Sequence, residues 1–347
     1  MPNTVYDNFV LENKLESILA TKVDLSNYMT VDRSLAEAAG MKKTVHKYRA
    51  TGAVEDLSMG EGNSQTITAS FASKDYEVGV TQGKAEYYDE EAMKDPMIVD
   101  TLVAGAAEIM RNDFTTKAIN EMSLFELAIE VDFTSSSAGY LFDKVADALA
   151  LFGEDEDGEG ITMLVSPKNK AWIRKQLKDD LKYSEGFVRT GYIGHVCGVP
   201  VVVSNAVPDK CMFIEKKSAV TLFLKKGVES EQERDADHRK NTMFLRKVAL
   251  VALTDANKII GLAAAQSTAC AITTYTKNAK TIAGTCGTDC HLVRVIDGDG
   301  EVYDVTPSSG AWTMTAKANL TAGDKINATA FAPGKAPKAA TEVTVAS

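Results

Sequence analysis

Four side chains that could bind a metal lie near the C-terminus: Cys270, Cys286, Cys290 and His291. Thiolates and imidazoles are the usual ligands of tetrahedral zinc. Cys290 and His291, however, are neighbours in a strand-like segment, where adjacent side chains point to opposite faces. The odd total of five cysteines, without a secretion signal, favours free thiols. We therefore predict no metal site, and a Cys270–Cys286 disulfide formed after release from the cell is favoured over zinc.

Two acidic stretches imitate calcium loops. Asp155, Asp157 and Glu159 match the opening of an EF-hand, but the twelfth position is Ser166, where a bidentate glutamate is needed. Asp297, Asp299 and Glu301 alternate in a similar way, and a hairpin turn explains them fully. A solvated loop and a turn are therefore the favoured interpretations.

None of the common catalytic motifs is present in the sequence. The chain has no G-x-S-x-G elbow, no phosphate-binding G-x-x-x-x-G-K-[ST], no H-E-x-x-H and no C-x-x-C. His195 and Cys197 form an H-x-C pair, but no group that would orient a base accompanies them. The four histidines are scattered. We expect no catalytic residue, no cofactor and no enzymatic activity.

Charge and hydropathy narrow the class of protein further. The chain has 347 residues and a net charge of −10, and the acidic excess lies entirely before residue 266. An acidic protein gains little from counterion release, so tight nucleic-acid binding is disfavoured, whereas enclosing DNA requires no affinity. There is no apolar run of eighteen residues and no signal peptide, so we expect no membrane association and a location in the cytoplasm where it is made.

The hydrophobic periodicity changes several times along the chain. From residue 44 to residue 84 it is that of strands, interrupted by the polar, glycine-containing stretch AVEDLSMGEGNSQT. A two-stranded hairpin of this kind is marginally stable alone, so something outside it should hold it, and another copy of the protein could do so. Asp95 and Pro96 then predict a helix start, and one apolar stripe continues from Val99 to Met122.

Helices and strands interleave after this helix without a regular βαβ period, so the fold class is α+β. Helices are expected at Tyr140–Phe152 and after Ser166–Pro167, with strands between and after them. Beyond residue 265 helical periodicity stops, and short alternating runs are separated by turns. Several short strands in residues 270–347 predict a small β-sandwich.

This order of elements resembles the major capsid proteins of tailed bacteriophages, the Hong Kong 97-type fold that encapsulin nanocompartments share. GYIGHVCGVPVVVS (191–204) looks like the glycine-rich turn before a central strand of these proteins, and KVALVALTDANKIIGL (247–262) is similar to their closing strands. The resemblance covers residues 1–265. It implies an N-arm (1–43), an extended loop (44–84), a peripheral domain containing the spine helix (85–139 and 229–265) and an axial domain (140–228).

The resemblance also implies an assembly interface. Its expected residues are the tip of the extended loop, which would lie over a neighbouring subunit, and the glycines of the central turn: Glu55, Asp56, Leu57, Met59, Gly60, Gly62, Asn63, Gly191, Gly194 and Gly198. Residues 50–73 contain no lysine, so no covalent Lys–Asn cross-link is expected from this loop.

The implied function is structural, a virion capsid assembled in the bacterial host cytoplasm from pentamers and hexamers around double-stranded DNA. Separate scaffolding and portal proteins, and decoration proteins, are the expected partners. The C-terminal segment resembles a bacterial immunoglobulin-like domain, which implies projection from the capsid surface and weak glycan binding. An encapsulin-type shell with protein cargo and, less favoured, a cytoplasmic enzyme with an appended sandwich remain as alternatives.

Overall fold

The computed structural model describes residues 28–37, 40–51, 53–95, 97–135, 137, 139–153, 160–177, 194–266 and 270–346. Residues 1–27 of the predicted arm lie outside this part of the chain. Residues 28–32 belong to that arm, and among them Met29 is fully buried in the central core, whereas Thr30 and Val31 are exposed. Residues 30–32 pair in parallel with residues 221–223 at the edge of a sheet.

The first half of the described chain contains the hairpin and the long helix. Its elements, in chain order, are β1 (Thr30–Asp32), α1 (Ser34–Glu37), β2 (Lys42–Thr51), β3 (Thr68–Glu77), β4 (Gly79–Tyr88), α2 (Asp89–Lys94), α3 (Ile98–Met122) and β5 (Leu127–Glu130).

The middle of the chain alternates helices and strands as predicted. Its elements are α4 (Tyr140–Ala150), β6 (Ile161–Val165), α5 (Pro167–Gln176), β7 (His195–Val196), β8 (Val199–Val203), β9 (Cys211–Lys216), β10 (Val220–Asp235), β11 (Lys240–Leu253) and β12 (Ile259–Ala263).

The described residues of the C-terminal segment form strands and no helix. They are β13 (Ala271–Tyr275), β14 (Thr281–Thr285), β15 (Leu292–Ile296), β16 (Val302–Val305), β17 (Ala311–Thr315), β18 (Lys325–Phe331), β19 (Lys338–Ala339) and β20 (Val343–Thr344). They form two antiparallel sheets, one ordered β13-β14-β17 and the other β16-β15-β18-β19, with β20 also paired to β18. A shared apolar core around Trp312, Ile282 and Val293 joins the two sheets into the predicted β-sandwich.

The long helix α3 packs across a four-stranded sheet ordered β1-β10-β11-β4. Its predicted stripe is buried at every position: Val99, Val103, Ala107, Met110, Phe114, Ala118 and Met122. The N-terminal half of the stripe contacts Met243 and Leu245 of β11, whereas Phe114 and Met122 enter the central core. The stripe therefore joins the sheet to the centre of the molecule.

The predicted start of this helix differs from the structure. Asp95 is the C-terminal cap of α2, and its backbone N–H donates to Glu91 O at 2.8 Å. Its carboxylate accepts a hydrogen bond from Met97 N at 2.9 Å, and α3 begins at Ile98. The short helix α2 was not predicted; Asp95 ends it and also bonds to the residue before α3, so the long helix begins at Ile98 and not at Pro96.

A six-stranded sheet ordered β5-β12-β9-β6-β8-β7 separates two apolar cores. Along β9, Cys211 and Phe213 face the central core, whereas Met212 and Ile214 face the core beneath α4 and α5. The predicted N-cap of α5 is confirmed, since Ser166 Oγ accepts from Asn169 N and Pro167 is the first helical residue. The central strands β12, β9 and β6 are buried on both faces, whereas the outer strands β5, β8 and β7 are partly exposed.

The sheets combine strands from different expected segments. β5 and β12, from the segments expected to be peripheral, join the six-stranded sheet with strands from the expected axial segment. β10 crosses the expected boundary at residue 228 and lies in the four-stranded sheet along its whole length. The hairpin itself ends at Glu77, because β4 pairs with β11 from Gly79 onward. Long-range strand pairing sets these boundaries, and local periodicity does not reveal it.

Gly261 in β12 provides a test of this central layer. A Cβ atom at this position would lie 2.3 Å from the ring of Phe125, which is buried and packs edge-on against Phe213. We expect Gly261→Ala to lower the free energy of unfolding by about 1–3 kcal/mol through overpacking. Urea denaturation of the unassembled chain measures the loss.

Gly62→Ala is the matched control for Gly261→Ala. No atom lies within 4 Å of a Cβ built at Gly62, which is exposed on the hairpin. We expect its unfolding free energy to stay within about 0.5 kcal/mol of the wild type. Equal stabilities of the two variants would contradict the close packing assigned to Gly261.

Candidate assembly surface

The tip of the β2–β3 hairpin, residues 53–67, is exposed at every position. We call residues 53–67 the tip. The strands below it pair in a continuous antiparallel register from Lys42–Glu77 to Thr51–Thr68. The tip contains seven of the predicted interface residues: Glu55, Asp56, Leu57, Met59, Gly60, Gly62 and Asn63.

Polar residues of the tip bond to one another and give it a defined shape. The Glu55 carboxylate accepts hydrogen bonds from Ser64 N and Ser64 Oγ, both at 2.9 Å. These bonds hold the pKa of Glu55 below its ordinary value, so it stays ionised at neutral pH. They also close the tip across its width, because Glu55 and Ser64 lie on its two sides.

A tight turn forms the end of the tip. Glu61 N donates to Ser58 O at 3.1 Å, and the Glu61 carboxylate accepts from Ser58 N at 3.2 Å. Gly60 has a φ of +92°, a conformation that favours glycine. Asn63 Oδ1 then accepts from Gln65 N at 2.8 Å, a local Asx-type bond. These contacts explain the glycine and asparagine that marked this stretch in the sequence.

Four apolar side chains project from the tip into solvent. Their exposed fractions are 105% for Met59, 87% for Val54, 61% for Ile67 and 47% for Leu57. Methionine is among the residues enriched in protein interfaces, and uncovered apolar side chains are available for contact with another molecule. The tip thus combines a preformed backbone with uncovered apolar surface.

Of the predicted glycines of the central turn, Gly194 and Gly198 lie elsewhere, at the edge of the six-stranded sheet. Cys197 and Gly198 connect β7 to β8 as a two-residue turn, with φ of 48° and +80°. Positive φ at both positions is the geometry of a type I′ hairpin turn, which favours glycine. Gly194 O accepts from Val201 N at 3.1 Å. Gly191 lies outside the described residues.

The base of the hairpin carries contacts that the sequence did not predict. Ser73 and Lys74 of β3 bond to the turn and strand of β15–β16, and Tyr76 bonds to the end of α3. The sequence of β15, LVRVI, is apolar at four of its five positions, which is the signal of a strand covered on both faces. The structure agrees, since Val293, Arg294 and Val295 are consecutive and all buried. One face packs in the sandwich core and the other meets the hairpin.

The cysteines of the sandwich are buried thiols. Cys270, Cys286 and Cys290 lie in its core, and Gln266 Nε2 contacts Cys290 Sγ at 2.9 Å. Burial raises the pKa of Cys270 to about 11 and that of Cys286 to about 12, so both are protonated at neutral pH. Across the described residues, no three histidine, cysteine or acidic side chains group as a metal site would require.

The acidic motifs have structural explanations where the structure describes them. Asp297 Oδ1 accepts from Asp299 N at 3.1 Å and from Glu301 N at 2.9 Å, so this carboxylate shapes the β15–β16 turn. Residues 155–159 of the other acidic loop lie outside the described residues. Among the helices that the structure describes, none has the length and apolar character needed to span a bilayer.

Sequence comparisons find no match for this chain, either among known family models or among curated proteins.

Solved structures do match, at low sequence identity. The virus-like particle from Pyrococcus furiosus is 13% identical with a TM-score of 0.53, over 74% of this chain and 100% of that one. The capsid of a native GTA particle is 12% identical with a TM-score of 0.58, over 70% of this chain and 91% of that one. The mature capsid of bacteriophage PhiM1 is 12% identical with a TM-score of 0.53, over 69% and 86%.

At such identities the likeness establishes the fold and nothing more specific. The chain therefore has the fold of the tailed-phage and related capsid proteins.

Proposed function

We propose that this protein is a major capsid protein, whose copies assemble into an icosahedral shell around phage double-stranded DNA. The observation that carries the proposal is the tip, a preformed loop whose apolar side chains no part of the described chain covers. The capsid fold supports the same function, because the similar structures are those of a virus-like particle and of two capsids. The proposed location is the virion capsid, with assembly in the cytoplasm of the bacterial host.

The assembly mechanism follows from the shape of the subunit. The tip is a different surface from the body on which a neighbouring tip would lie, so the contact is heterologous. Heterologous contacts close into rings when the rotation between copies permits it, and we propose rings of five and six. Each ring contact adds apolar burial that the single subunit lacks, at roughly 25 cal/mol per Å².

The segments of the chain take proposed places in this shell. The four-stranded sheet with α3 would form the peripheral part, and the six-stranded sheet with α4 and α5 the axial part. Gly191, Gly194 and Gly198 would then lie near the axes where subunits meet. This placement is supported by the position of β7 and β8 at the edge of their sheet, since edge strands are available for contacts between copies.

The acidic charge fits a wall that encloses DNA without binding it. The net charge of −10 belongs to the part of the chain before residue 266. An acidic surface does not displace the counterions of DNA phosphates, so it lacks the main driving force for binding, and packaged DNA would not adhere to it. Scaffolding, portal and decoration proteins are the partners proposed for such a shell.

The sandwich is proposed to be an immunoglobulin-like domain that projects from the capsid surface and binds glycans weakly. Its two antiparallel sheets and buried Trp312 support the resemblance. An encapsulin-type compartment is the second candidate, because the virus-like particle from Pyrococcus furiosus matches over its whole length. The two candidates share a shell and differ in what it contains.

Electron microscopy of particles from cells expressing the full chain tests the proposal. We expect closed shells, and purified particles from the natural source should contain nuclease-protected double-stranded DNA. Shells that contain protein instead of DNA would favour the compartment. Small discrete oligomers under all conditions would contradict both shell functions.

Charge placed on the tip should prevent assembly. The double variant Leu57→Asp, Met59→Asp puts two carboxylates where apolar contact with a neighbour is proposed. Both side chains are exposed in the subunit, so its unfolding free energy should change by less than about 1 kcal/mol. We expect at least a tenfold loss of assembled particles, measured by sedimentation and microscopy.

The double variant Leu57→Met, Met59→Leu is the control, because it keeps the apolar character and approximate volume of both side chains. It should assemble as the wild type does. Normal shells from the aspartate variant would exclude the tip from the interface.

A further inference from the structure

The base of the hairpin is bonded to the C-terminal sandwich through the backbone. Ser73 N donates to Gly300 O at 3.0 Å, and Ser73 forms an isolated parallel bridge with Glu301. Ser73 is buried, with 6% of its surface exposed. Its amide therefore bonds to the sandwich and not to the partner strand β2, which makes it a specific reporter of this contact.

A charged cluster lies next to this backbone bond. Lys74 Nζ is 2.6 Å from Asp304 Oδ2, and both side chains are about four-fifths covered. Asp304 also accepts two hydrogen bonds from Arg294, from Nε at 2.9 Å and from Nη2 at 3.3 Å. Burial opposes ionisation of Asp304, yet the bonds and charges of Arg294 and Lys74 hold its pKa below the ordinary value. The Asp304 carboxylate thus links Arg294 of the sandwich to Lys74 of the hairpin.

Tyr76, on the same face of β3 as Lys74, extends the cluster into the body of the subunit. Its hydroxyl donates to Glu121 Oε2 at 3.1 Å near the end of α3. The same carboxylate oxygen accepts from Leu253 N of β11 at 3.3 Å. Lys74 Nζ lies 4.4 Å from the centroid of the Tyr76 ring, a cation–π distance. The hairpin base is therefore held between the sandwich and the long helix.

The sandwich can act as a fixed support because it is packed on the body as well. Phe331 of β18 belongs to the central core, and the Arg294 guanidinium lies 5.7 Å from its ring centroid. Ala336 N donates to Ala264 O at 2.8 Å. A domain joined only by residues 266–270 would have none of these contacts.

We propose that the C-terminal sandwich is a clamp that sets the direction in which the β2–β3 hairpin leaves the subunit. Its contact surface is the β15–β16 turn with Asp304, and the segment it holds is Ser73 and Lys74. This role differs from outward display, because it acts within one subunit. Its consequence for assembly, that the clamp decides where the tip reaches a neighbour, rests on the proposed function.

Lys74→Met in the full chain tests the clamp. The substitution removes the cation of the hairpin but leaves the Arg294–Asp304 pair of the sandwich intact. We expect hydrogen exchange at the Ser73 amide to accelerate by roughly fivefold to thirtyfold, the range that loss of such a contact produces. Exchange within β15 should be unchanged. An unaltered Ser73 amide would overturn the proposal.

Lys42→Met is the matched control on the same hairpin. Lys42 pairs with Glu77 of the hairpin itself at 3.6 Å, and both side chains are largely exposed. In the Lys42→Met variant, the Ser73 amide should exchange at the wild-type rate. An increase equal to that caused by Lys74→Met would indicate a general loosening of the hairpin and would overturn the clamp. In addition, Lys74→Met should have a smaller effect on exchange when Asp304→Asn is already present, because the Lys74–Asp304 contact is then already lost.

Particle formation distinguishes this inference from the proposed function. If Lys74→Met accelerates exchange at Ser73 but the chain never forms shells, the clamp is supported and the proposed shell function is rejected. Wild-type shells with an insensitive Ser73 amide would reject the clamp alone. If both hold, Lys74→Met should broaden the distribution of particle diameters in micrographs, and uniform particles would refute the clamp's role in assembly.

Discussion

A ribbon of two strands has no second layer with which to cover its faces, and the organisation of this molecule follows from that constraint. The lower part of the β2–β3 hairpin is covered by its own chain, through Tyr76 on one sheet and Ser73 on the sandwich. The tip receives no such cover among the described residues, and its apolar side chains face solvent. We propose that the tip packs on another molecule, and that this molecule is a copy of the same chain.

The rest of the body is built as a rigid base for this projecting element. The helix α3 connects the four-stranded sheet to the central core, and β9 and β12 each contribute side chains to two cores. Interiors packed in this way transmit displacement and do not absorb it. A displacement at the base of the hairpin would thus be transmitted to the rest of the subunit, which is consistent with the proposed function of forming a shell.

The sandwich connects to this base through charge as well as apolar packing. Arg294 is almost fully buried, and a buried guanidinium without its carboxylate would be costly. Asp304 satisfies it and at the same time pairs with Lys74. Such a shared carboxylate makes the docked arrangement specific, because any displacement of the hairpin would leave charges less completely paired.

Local features of the sequence determined the elements of the fold. The apolar stripe of α3, the Ser166 cap and the glycine-containing tip were all readable, because helical periodicity, capping and turn chemistry involve residues within a few positions of one another. Strand order, the assignment of β5 and β12 to one sheet, and the Lys74–Asp304 contact were decided only by the tertiary structure. These depend on which distant segments meet, and alternation along a strand shows that a face is covered without identifying the residues that cover it.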